Sequence, residues 1–167
     1  MKRIGLITRD NAGMNACIRA VVRAADQSGI DVVGFYRGYK GLIEDDFTLL
    51  TSRSVAGIIN VGGSILKAAR CKEFNTEEGL TKAFSNYKKH KLEGLIVIGG
   101  NGSLSGAADF YEKFNVPVIG IPATIDNDVN GIDMALGADT ALNVAMDAID
   151  KLRDTAHSME RVFIVEV

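Results

Sequence analysis

The residues best suited to chemistry lie in two polar segments, each of which follows a short apolar run. The first is the glycine-rich turn Gly99–Ser103, which comes directly after the run Leu95–Ile98. The second is the acidic segment Pro122–Asp128, which ends the run Val118–Ile121. Glycine backbone can bring N–H groups close to an anion, and a carboxylate can accept a proton from an attacking hydroxyl. Together the two segments predict phosphate binding and phosphoryl transfer.

A parallel sheet would bring these two segments to one edge. Both apolar runs are too short for a helix and read as strands buried on both faces. Ser103 is predicted to be the N-cap of a helix that runs to about Phe114, so that free N–H groups and the helix dipole converge on an anion. The strand Val118–Ile121 is predicted to deliver Thr124, Asp126 and Asp128 to the same edge.

The N-terminal part of the chain predicts a βαβ unit. Its parts are a strand at Ile4–Thr8, a helix at Met14–Ser28 and a second strand at Asp31–Tyr36. We expect a right-handed crossover, with the connecting loop at the carboxyl edge of the sheet. A further amphipathic helix is predicted at Asn75–Lys89, with Asn75 or Thr76 as its cap.

Less regular structure is predicted between these elements. Gly38–Leu50 reads as a glycine-bearing loop, and its acidic patch Glu44–Asp46 as a solvated turn. Ser54–Asn60 reads as a short helix, and Ser64–Phe74 as an irregular segment. That segment carries three cations near the glycine turn at positions 62–63: Lys67, Arg70 and Lys72.

The C-terminal part predicts a long helix and a final strand. The helix is predicted to start at a cap on Asp139 or Thr140 and to end near Thr155, and Val162–Val167 is the strand. The helix has an apolar stripe, predicted to be buried: Leu142, Ala145, Met146, Ile149 and Leu152. Alternating strands and helices predict an α/β fold with a doubly wound, mostly parallel sheet and helices on both faces.

Composition narrows the class of protein further. The 167 residues are 47% hydrophobic and 24% charged, which suits a globular chain and is too apolar for disorder. A formal charge of −2 without a basic stripe argues against nucleic acid as a partner. No apolar run approaches the roughly 20 residues of a membrane span, and no signal peptide is evident. The two cysteines form no metal-type pair, and we expect a reduced, cytoplasmic chain without a membrane partner.

Six segments, in the same order along the chain, resemble the bacterial ATP-dependent 6-phosphofructokinase family. They are Gly13–Arg19, Gly62–Leu66, Ala69–Cys71, Gly99–Ser103, Pro122–Asp128 and Arg153–Thr155. The resemblance spans nearly the whole chain and corresponds to about the first half of a family subunit. It implies a phosphofructokinase-like fold that lacks most of the second domain. Residues 1–138 would form the N-terminal nucleotide-binding-type domain, and residues 139–167 a helix and strand that begin the substrate-side domain.

The resemblance implies phosphoryl transfer from ATP to the 1-hydroxyl of fructose 6-phosphate, a step of glycolysis. Asp126 would take the proton from that hydroxyl, Thr124 would contact the substrate, and Asp128 would assist on the substrate and metal side. Arg161 matches an arginine that reaches the sugar 6-phosphate across a subunit interface. The implied partners are therefore fructose 6-phosphate, ATP or ADP, and a second subunit.

The resemblance also implies a nucleotide site that uses ATP and Mg²⁺. Its positions are Arg70, Cys71, Gly102, Ser103 and, in the helix behind them, Gly106. A glycine after position 101 is the form that the family associates with ATP rather than pyrophosphate. Asn101 stands at the position of a magnesium carboxylate, with Asp128 as the second metal-side residue. Three arginines match cationic positions of the family's effector site: Arg19, Arg23 and Arg153.

Several positions depart from the family pattern. The loop Thr8–Gly13 is two residues shorter and carries Arg9 in place of small residues. Asn101 replaces an aspartate, and an amide is a weaker ligand for a hard dication than a carboxylate. Ala123 replaces a glycine beside Thr124. Charged residues are also missing, two of them from the effector site: Ser52, Gly57 and Val61 stand in their places. These departures predict that catalysis by this chain alone is impaired or absent.

Two other functions remain open at this stage. One is a catalytically degenerate or truncated module that binds a sugar phosphate or a nucleotide, or that has only a structural role. The other is a dehydrogenase, which the spacing of Gly-Gly-Asn-Gly-Ser does not favour. The family pattern continues beyond Val167, and the apolar face of the last helix predicts an exposed patch. We therefore expect a homo-oligomer or assembly with a complementary chain.

Overall fold

A computed structural model of the chain describes residues 2–166, which form a five-stranded sheet flanked by helices. The strands are β1 (Lys2–Thr8), β2 (Ile30–Phe35), β3 (Phe47–Leu50), β4 (Gly94–Gly99) and β5 (Val118–Pro122). The helices are α1 (Met14–Gln27), α2 (Tyr39–Glu44), α3 (Glu77–Lys89), α4 (Asn101–Phe114) and α5 (Ala138–Met159), with a 3₁₀ turn at Lys72–Asn75.

The sheet has the order β3-β2-β1-β4-β5. Strand β1 pairs in parallel with β2 and β4, and β4 pairs in parallel with β5, whereas β3 runs antiparallel to β2. The chain thus starts in the middle of the sheet and changes direction of winding between β1 and β4. Such a switch point leaves a crevice at the carboxyl ends of the strands. The predicted doubly wound, mostly parallel sheet is confirmed.

Successive strand residues point to opposite faces and build two separate cores. Leu6 and Val32 pack with α1 on one face, while Ile7 and Val33 pack with α2, α3 and α4 on the other. The same alternation in β4 sends Val97 to the second core and Ile98 to the first. Helices therefore cover both faces of the sheet at its central strands, as predicted, because these strands are apolar on both sides. The prediction that Val118–Ile121 is buried on both faces is wrong, since β5 lies at an edge of the sheet and Ile119 is 64% exposed.

The prediction of a loop at Gly38–Leu50 is wrong, because this segment contains α2 and β3. Gly38 adopts a left-handed φ of 68°, which turns the chain from β2 into the helix. Leu42 and Ile43 then bury their side chains against α3. The four-residue strand β3 then pairs with β2. Long-range packing therefore determines the structure of this segment, although its glycine and acidic residues are typical of turns.

The acidic patch Glu44–Asp46 is not a solvated turn but a paired one. The Asp46 carboxylate accepts from the Arg37 guanidinium at 2.6 Å. The two Asp45 oxygens meet Lys89 Nζ at 2.5 Å and His90 Nε2 at 2.6 Å. The hydrogen bond from Lys89, followed by the contacts with His90, lowers the pKa of Asp45 below its ordinary value. The patch therefore fastens the end of α2 to the end of α3.

The short helix predicted at Ser54–Asn60 is also absent, since this segment consists of turns. Gly57 has a left-handed φ of 73°, which interrupts any helix there. Val55 and Ile58 still bury their side chains against the α1 face of the sheet. The spacing of Val55 and Ile58 suggested one face of a helix. The structure buries the same two side chains, but on a backbone that is not helical.

The predicted helix caps differ from the structure in two of three cases. Thr76 caps α3 as expected, because its Oγ1 accepts from Gly79 N at 3.1 Å. Helix α4 begins at Asn101 after Gly100, so Ser103 lies in its first turn and is not its cap. Helix α5 follows Gly137, not Asp139 or Thr140, and the φ of Gly137 is 94°. A Cβ at Gly137 would lie 2.5 Å from the Asn11 amide. Only glycine therefore fits at this turn, and the helix begins directly after it.

The C-terminal part departs most from the prediction. Helix α5 extends to Met159, and its apolar stripe is largely exposed, with Leu142 at 60% and Met146 at 63%. The prediction of a buried stripe is therefore wrong, and the prediction of an exposed apolar patch on this helix is confirmed. No strand forms over 162–166, where Val162 and Ile164 are more than 90% exposed, and Val167 lies outside the described residues. A strand needs a neighbour to bond, and none reaches this segment within residues 2–166. The division at residue 138 stays a prediction. No helix in the described part of the chain is long and apolar enough to cross a membrane.

Candidate functional site

A cavity of about 580 Å³ opens where β4 and β5 end at the carboxyl edge of the sheet. The glycine turn after β4 forms one wall and the acidic segment after β5 forms another. Eight of the predicted site residues line this cavity: Arg70, Cys71, Asn101, Gly102, Ser103, Thr124, Asp126 and Asp128. The sheet topology therefore brings together residues that the sequence analysis assigned to nucleotide and substrate separately.

The first turn of α4 supplies backbone donors to the cavity. Gly100 stays extended, with φ −84° and ψ −168°, and the helix begins at the next residue. The first N–H groups of a helix have no carbonyl acceptor within it, so those of Asn101 and Gly102 are available to a ligand. A Cβ on Gly102 would meet nothing within 4 Å, which leaves the approach to this backbone open. The turn has the form of an anion site.

The acidic segment is held in shape by hydrogen bonds of its own. Thr124 Oγ1 accepts from the backbone N–H of Asp126 at 3.1 Å. The side chain of Asn127 accepts from Ala135 N at 2.8 Å, and Thr124 N donates to Leu136 O at 3.1 Å. These bonds leave the carboxylates of Asp126 and Asp128 exposed at the cavity. A fixed backbone with an exposed carboxylate suits proton acceptance from a bound hydroxyl.

One of these carboxylates is engaged by the glycine turn. The Asn101 amide nitrogen donates to Asp128 Oδ2 at 2.8 Å and approaches the Asp128 backbone oxygen at 3.3 Å. The bond joins the two residues that the resemblance assigns to Mg²⁺. Within residues 2–166, no group of three or more histidine, cysteine, aspartate or glutamate side chains is arranged to hold a metal ion.

Arg9 enters the cavity from the loop after β1. Its aliphatic part lies over Gly99, where a Cβ would come within 2.9 Å of Arg9 Cγ. Its guanidinium donates to the backbone oxygen of Ala69. Arg9 also borders a second cavity of about 590 Å³, which the loops at 10–12 and 62–63 line on the other side. The side chain therefore lies between the two cavities, in the loop Thr8–Gly13.

Two aromatic residues of the cavity wall were missing from the predicted site. Tyr39 stacks on Phe74 with ring centroids 3.8 Å apart, and its hydroxyl donates to Ser103 O at 2.7 Å. Burial raises the pKa of the Tyr39 phenol well above its ordinary value, and the charge of Asp109 raises it further. Gly106 does not line the cavity, but a Cβ there would come within 3.3 Å of both rings. The spacing of Tyr39, Leu42 and Ile43 is typical of the buried face of a helix, and this pattern could have indicated from the sequence that Tyr39 belongs to a packed wall.

Cations surround the same opening. Arg70 and Lys72 are exposed on the segment that faces the glycine turn, and Arg9 is half-buried beside them. Three cationic side chains and two carboxylates thus line the cavity. Opposed charges of this kind suit a ligand that carries both phosphate groups, which the cations attract, and hydroxyl groups, which the carboxylates accept from.

The remaining predicted arginines lie outside this cavity. Arg19 donates to Val55 O at 2.8 Å and so fastens α1 to the turns at 51–60. Arg23 is exposed on α1, and Arg153 is exposed on α5 beside a small surface hollow with His157. Arg161 is exposed just beyond the end of α5. Their assigned effector and 6-phosphate roles stay predictions.

Comparison with known proteins gives one consistent family. The sequence model of the family described as "Phosphofructokinase" matches residues 3–167. The chain is 56% identical over 169 aligned positions to an ATP-dependent 6-phosphofructokinase of Thermotoga neapolitana, covering 100% of this chain and 53% of that protein. It is 54% identical to ATP-dependent 6-phosphofructokinase 2 of Bacteroides thetaiotaomicron, with 52% of that protein covered. The chain spans about half the length of these curated relatives.

Solved structures agree with this result. The phosphofructokinase of Saccharomyces cerevisiae superposes with a TM-score of 0.94 at 33% identity, over 100% of this chain and 26% of that one. The phosphofructokinase of Pichia pastoris in the T-state superposes with a TM-score of 0.85 at 36% identity, over 90% of this chain and 18% of that one. The fold and the sequence thus match the same group of proteins.

Proposed function

Because the chain belongs to the phosphofructokinase family, we propose that its cavity binds ATP and fructose 6-phosphate and serves phosphoryl transfer to the sugar 1-hydroxyl. One observation carries the proposal. The exposed carboxylate of Asp126 and the open first turn of α4 line a single cavity of about 580 Å³. A hydroxyl acceptor and a phosphate donor can therefore meet between a base and an anion site.

In this proposal Asp126 accepts the proton of the attacking hydroxyl. The hydroxyl oxygen forms the new bond to the γ-phosphorus, and the bond between that phosphorus and the oxygen of ADP breaks. Thr124 fixes the Asp126 backbone through its Oγ1 at 3.1 Å, which holds the base in place. Phosphoryl transfer is largely positioning and charge stabilisation, so a rigid loop with one free carboxylate is suited to it.

The nucleotide side of the proposal uses Arg70, Cys71, Gly102 and Ser103. The N–H groups of the first α4 turn and the guanidinium of Arg70 would face the phosphates, since both present hydrogen to anionic oxygen. Lys72 on the same wall adds charge. The family reaction uses Mg²⁺, but Asn101 and Asp128 bond to each other and do not present a metal site here.

A second candidate function is a binding module without turnover. The position of Arg9 favours it, because the side chain packs on Gly99 at the mouth of the phosphate turn. Loss of a stabilising contact at a phosphoryl site costs about 10² to 10³ in rate. Two changes, at Arg9 and Asn101, would therefore lower turnover strongly while leaving phosphate binding possible.

The proposal extends to location and assembly. We expect the chain to act in the cytoplasm and to work as a homo-oligomer or beside a complementary polypeptide, with Arg161 reaching the 6-phosphate of a neighbouring site. The exposed apolar face of α5, with Leu142, Met146 and Ile149, is where such a contact would remove most apolar area from water. Sedimentation velocity of the chain alone measures self-association directly, and a monomer at all concentrations would contradict the homo-oligomer and leave the complementary polypeptide.

Calorimetric titration and a coupled assay test the function. The 167-residue chain is titrated with ATP and with fructose 6-phosphate, and formation of fructose 1,6-bisphosphate is followed with and without MgCl₂. Binding of both ligands with product formation supports the kinase, and binding without product supports the binding module. Absence of heat with either ligand would contradict both and leave a structural role.

A further inference from the structure

The two residues at the expected metal position do not fit a magnesium ion. A carboxylate only accepts hydrogen bonds, so the Asn101 amide must turn its NH₂ group toward Asp128. The 2.8 Å bond therefore points the amide oxygen, the only possible metal ligand in the Asn101 side chain, away from Asp128 Oδ2. Magnesium requires oxygen ligands in a near-ideal octahedron. These two side chains cannot present oxygens to one ion while they bond to each other.

The cavity carries its own positive charge in place of the ion. Arg9, Arg70 and Lys72 line it against the carboxylates of Asp126 and Asp128. The three cations outnumber the two carboxylates, so the side chains that line the cavity carry a net positive charge. Phosphate oxygens would meet positive charge here without any metal.

Arg9 is the most strongly fixed of the three cations. Arg70 and Lys72 are exposed, whereas Arg9 is half-buried and packed along Gly99. Its guanidinium uses one donor on Ala69 O. A guanidinium has five N–H donors in a rigid fork, so several remain for a planar contact with phosphate oxygens. The bond to Ala69 orients this fork before a ligand arrives.

We propose that this site binds the phosphates of a nucleoside triphosphate without a divalent ion, with Arg9 neutralising the charge and the Asn101 amide holding Asp128. The inference rests on the proposed function, since it concerns the same nucleotide site. It also accounts for the joint change at two positions. The aspartate-to-asparagine replacement removes a metal ligand, and the arginine in the shortened loop supplies the lost positive charge.

The first test compares the affinity for ATP in two buffers. The 167-residue chain is titrated with ATP in excess EDTA and in excess MgCl₂. ATP is expected to bind in EDTA at least as tightly as with magnesium. Binding that is tenfold or more tighter with magnesium overturns the inference and leaves the proposed function standing. Absence of ATP binding in both buffers overturns the inference and the nucleotide side of the proposed function together.

The second test uses the metal alone. Free Mn²⁺ gives a paramagnetic resonance signal that decreases when the ion is bound. The wild-type chain is expected to leave this signal unchanged. The variant Asn101→Asp places a second carboxylate beside Asp128, and it is expected to bind Mn²⁺ and reduce the signal. Binding of Mn²⁺ by the wild type at micromolar concentration would overturn the inference.

The third test changes the cation. Arg9→Ala is expected to weaken ATP binding in EDTA by about ten- to hundredfold, the range for loss of a charged hydrogen-bonding partner. Arg53→Ala, an exposed arginine of the turns outside the cavity, is the matched control and is expected to leave the affinity unchanged. Arg9→Lys keeps the charge and gives an intermediate affinity, which covers the case that the alanine variant does not fold. Unchanged affinity in both Arg9 variants overturns the role of Arg9.

Discussion

Tyr39 reaches from the start of α2 to the first turn of α4, where its hydroxyl donates to the carbonyl oxygen of Ser103 at 2.7 Å. The two residues are 64 positions apart, and the bond is buried. The same ring stacks on Phe74 and, with Phe74, lies against Gly106 in the helix behind. One aromatic side chain thus ties the glycine turn after β4 to the wall of the cavity, so its hydroxyl bond links the stability of the fold to the geometry of the proposed anion site.

Tyr39→Phe is therefore expected to lower the free energy of unfolding by about 1 kcal/mol, the net value of a buried hydrogen bond. The ring and its stacking on Phe74 remain, so the fold is retained. Urea unfolding measures the change. Tyr111→Phe removes the hydroxyl of an exposed tyrosine on α4 and is the matched control. Equal stability of the two variants would contradict a structural role for the Tyr39 hydroxyl.

Gly102→Ala is expected to raise the free energy of unfolding and to lower the affinity for ATP. A Cβ at this position meets nothing within 4 Å, and alanine is favoured over glycine in a helix, so the unfolding free energy rises by up to about 1 kcal/mol. If phosphate packs against this backbone, the added methyl group weakens ATP binding, since overpacking costs about 1 to 3 kcal/mol.

Calorimetry with ATP and thermal unfolding of the same samples check the prediction for Gly102. Ser105→Ala, an exposed residue of α4 outside the cavity lining, is the control for helix propensity. A stabilised Gly102→Ala variant with unchanged affinity would show that phosphate does not approach this turn.

The sequence was sufficient for the parts of the site that depend on local pattern. The runs Leu95–Ile98 and Val118–Ile121 are apolar on both sides, which is enough to identify parallel strands. Once the strands are parallel and neighbouring, the segments that follow them must share one edge. The meeting of Gly102 with Asp126 at one cavity was predictable for this reason.

Contacts between distant residues were not predictable in the same way. The bond from Arg9 to Ala69 spans 60 positions, and the bond from Asn101 to Asp128 joins the first residue of α4 to the loop after β5. Neither leaves a periodic signal, because each depends on the final position of a single side chain. The strand predicted at Val162–Val167 failed for a related reason, since a strand requires a partner as well as a pattern.

Asp45→Asn is expected to destabilise the chain at pH 7 by about 1 kcal/mol, a value for a solvent-screened ion pair. Hydrogen bonding from Lys89, with His90 beside it, lowers the pKa of Asp45 below the ordinary value of 3.8. A lowered folded-state pKa gives stability that is present above the unfolded pKa and is lost as the pH falls through the folded pKa. The difference between wild type and variant should therefore disappear at acid pH.

Urea unfolding between pH 7 and pH 2.5 measures this dependence for Asp45. Glu112→Gln, which removes an exposed carboxylate of α4 with no ion pair in the part of the chain that the structure describes, should show no such trend. A destabilisation by Asp45→Asn that persists unchanged below pH 3 would mean that the charge of Asp45 is not its cause.

Asp126→Asn is expected to raise the affinity for ATP and to lower the rate of turnover. The carboxylate faces the cavity in which phosphates are proposed to bind, so its removal lessens repulsion, by about 1 kcal/mol for charges near a solvated surface. Loss of a general base lowers turnover by about 10² to 10⁴ wherever wild-type turnover is measurable. Calorimetry with ATP and the coupled assay give the two values.

Asp133→Asn is the control for Asp126→Asn. It changes a nearby exposed carboxylate outside the cavity lining and should change neither the affinity for ATP nor the rate of turnover. A parallel fall of affinity and rate would instead indicate that Asp126 holds the loop, because a structural residue supports binding and turnover together.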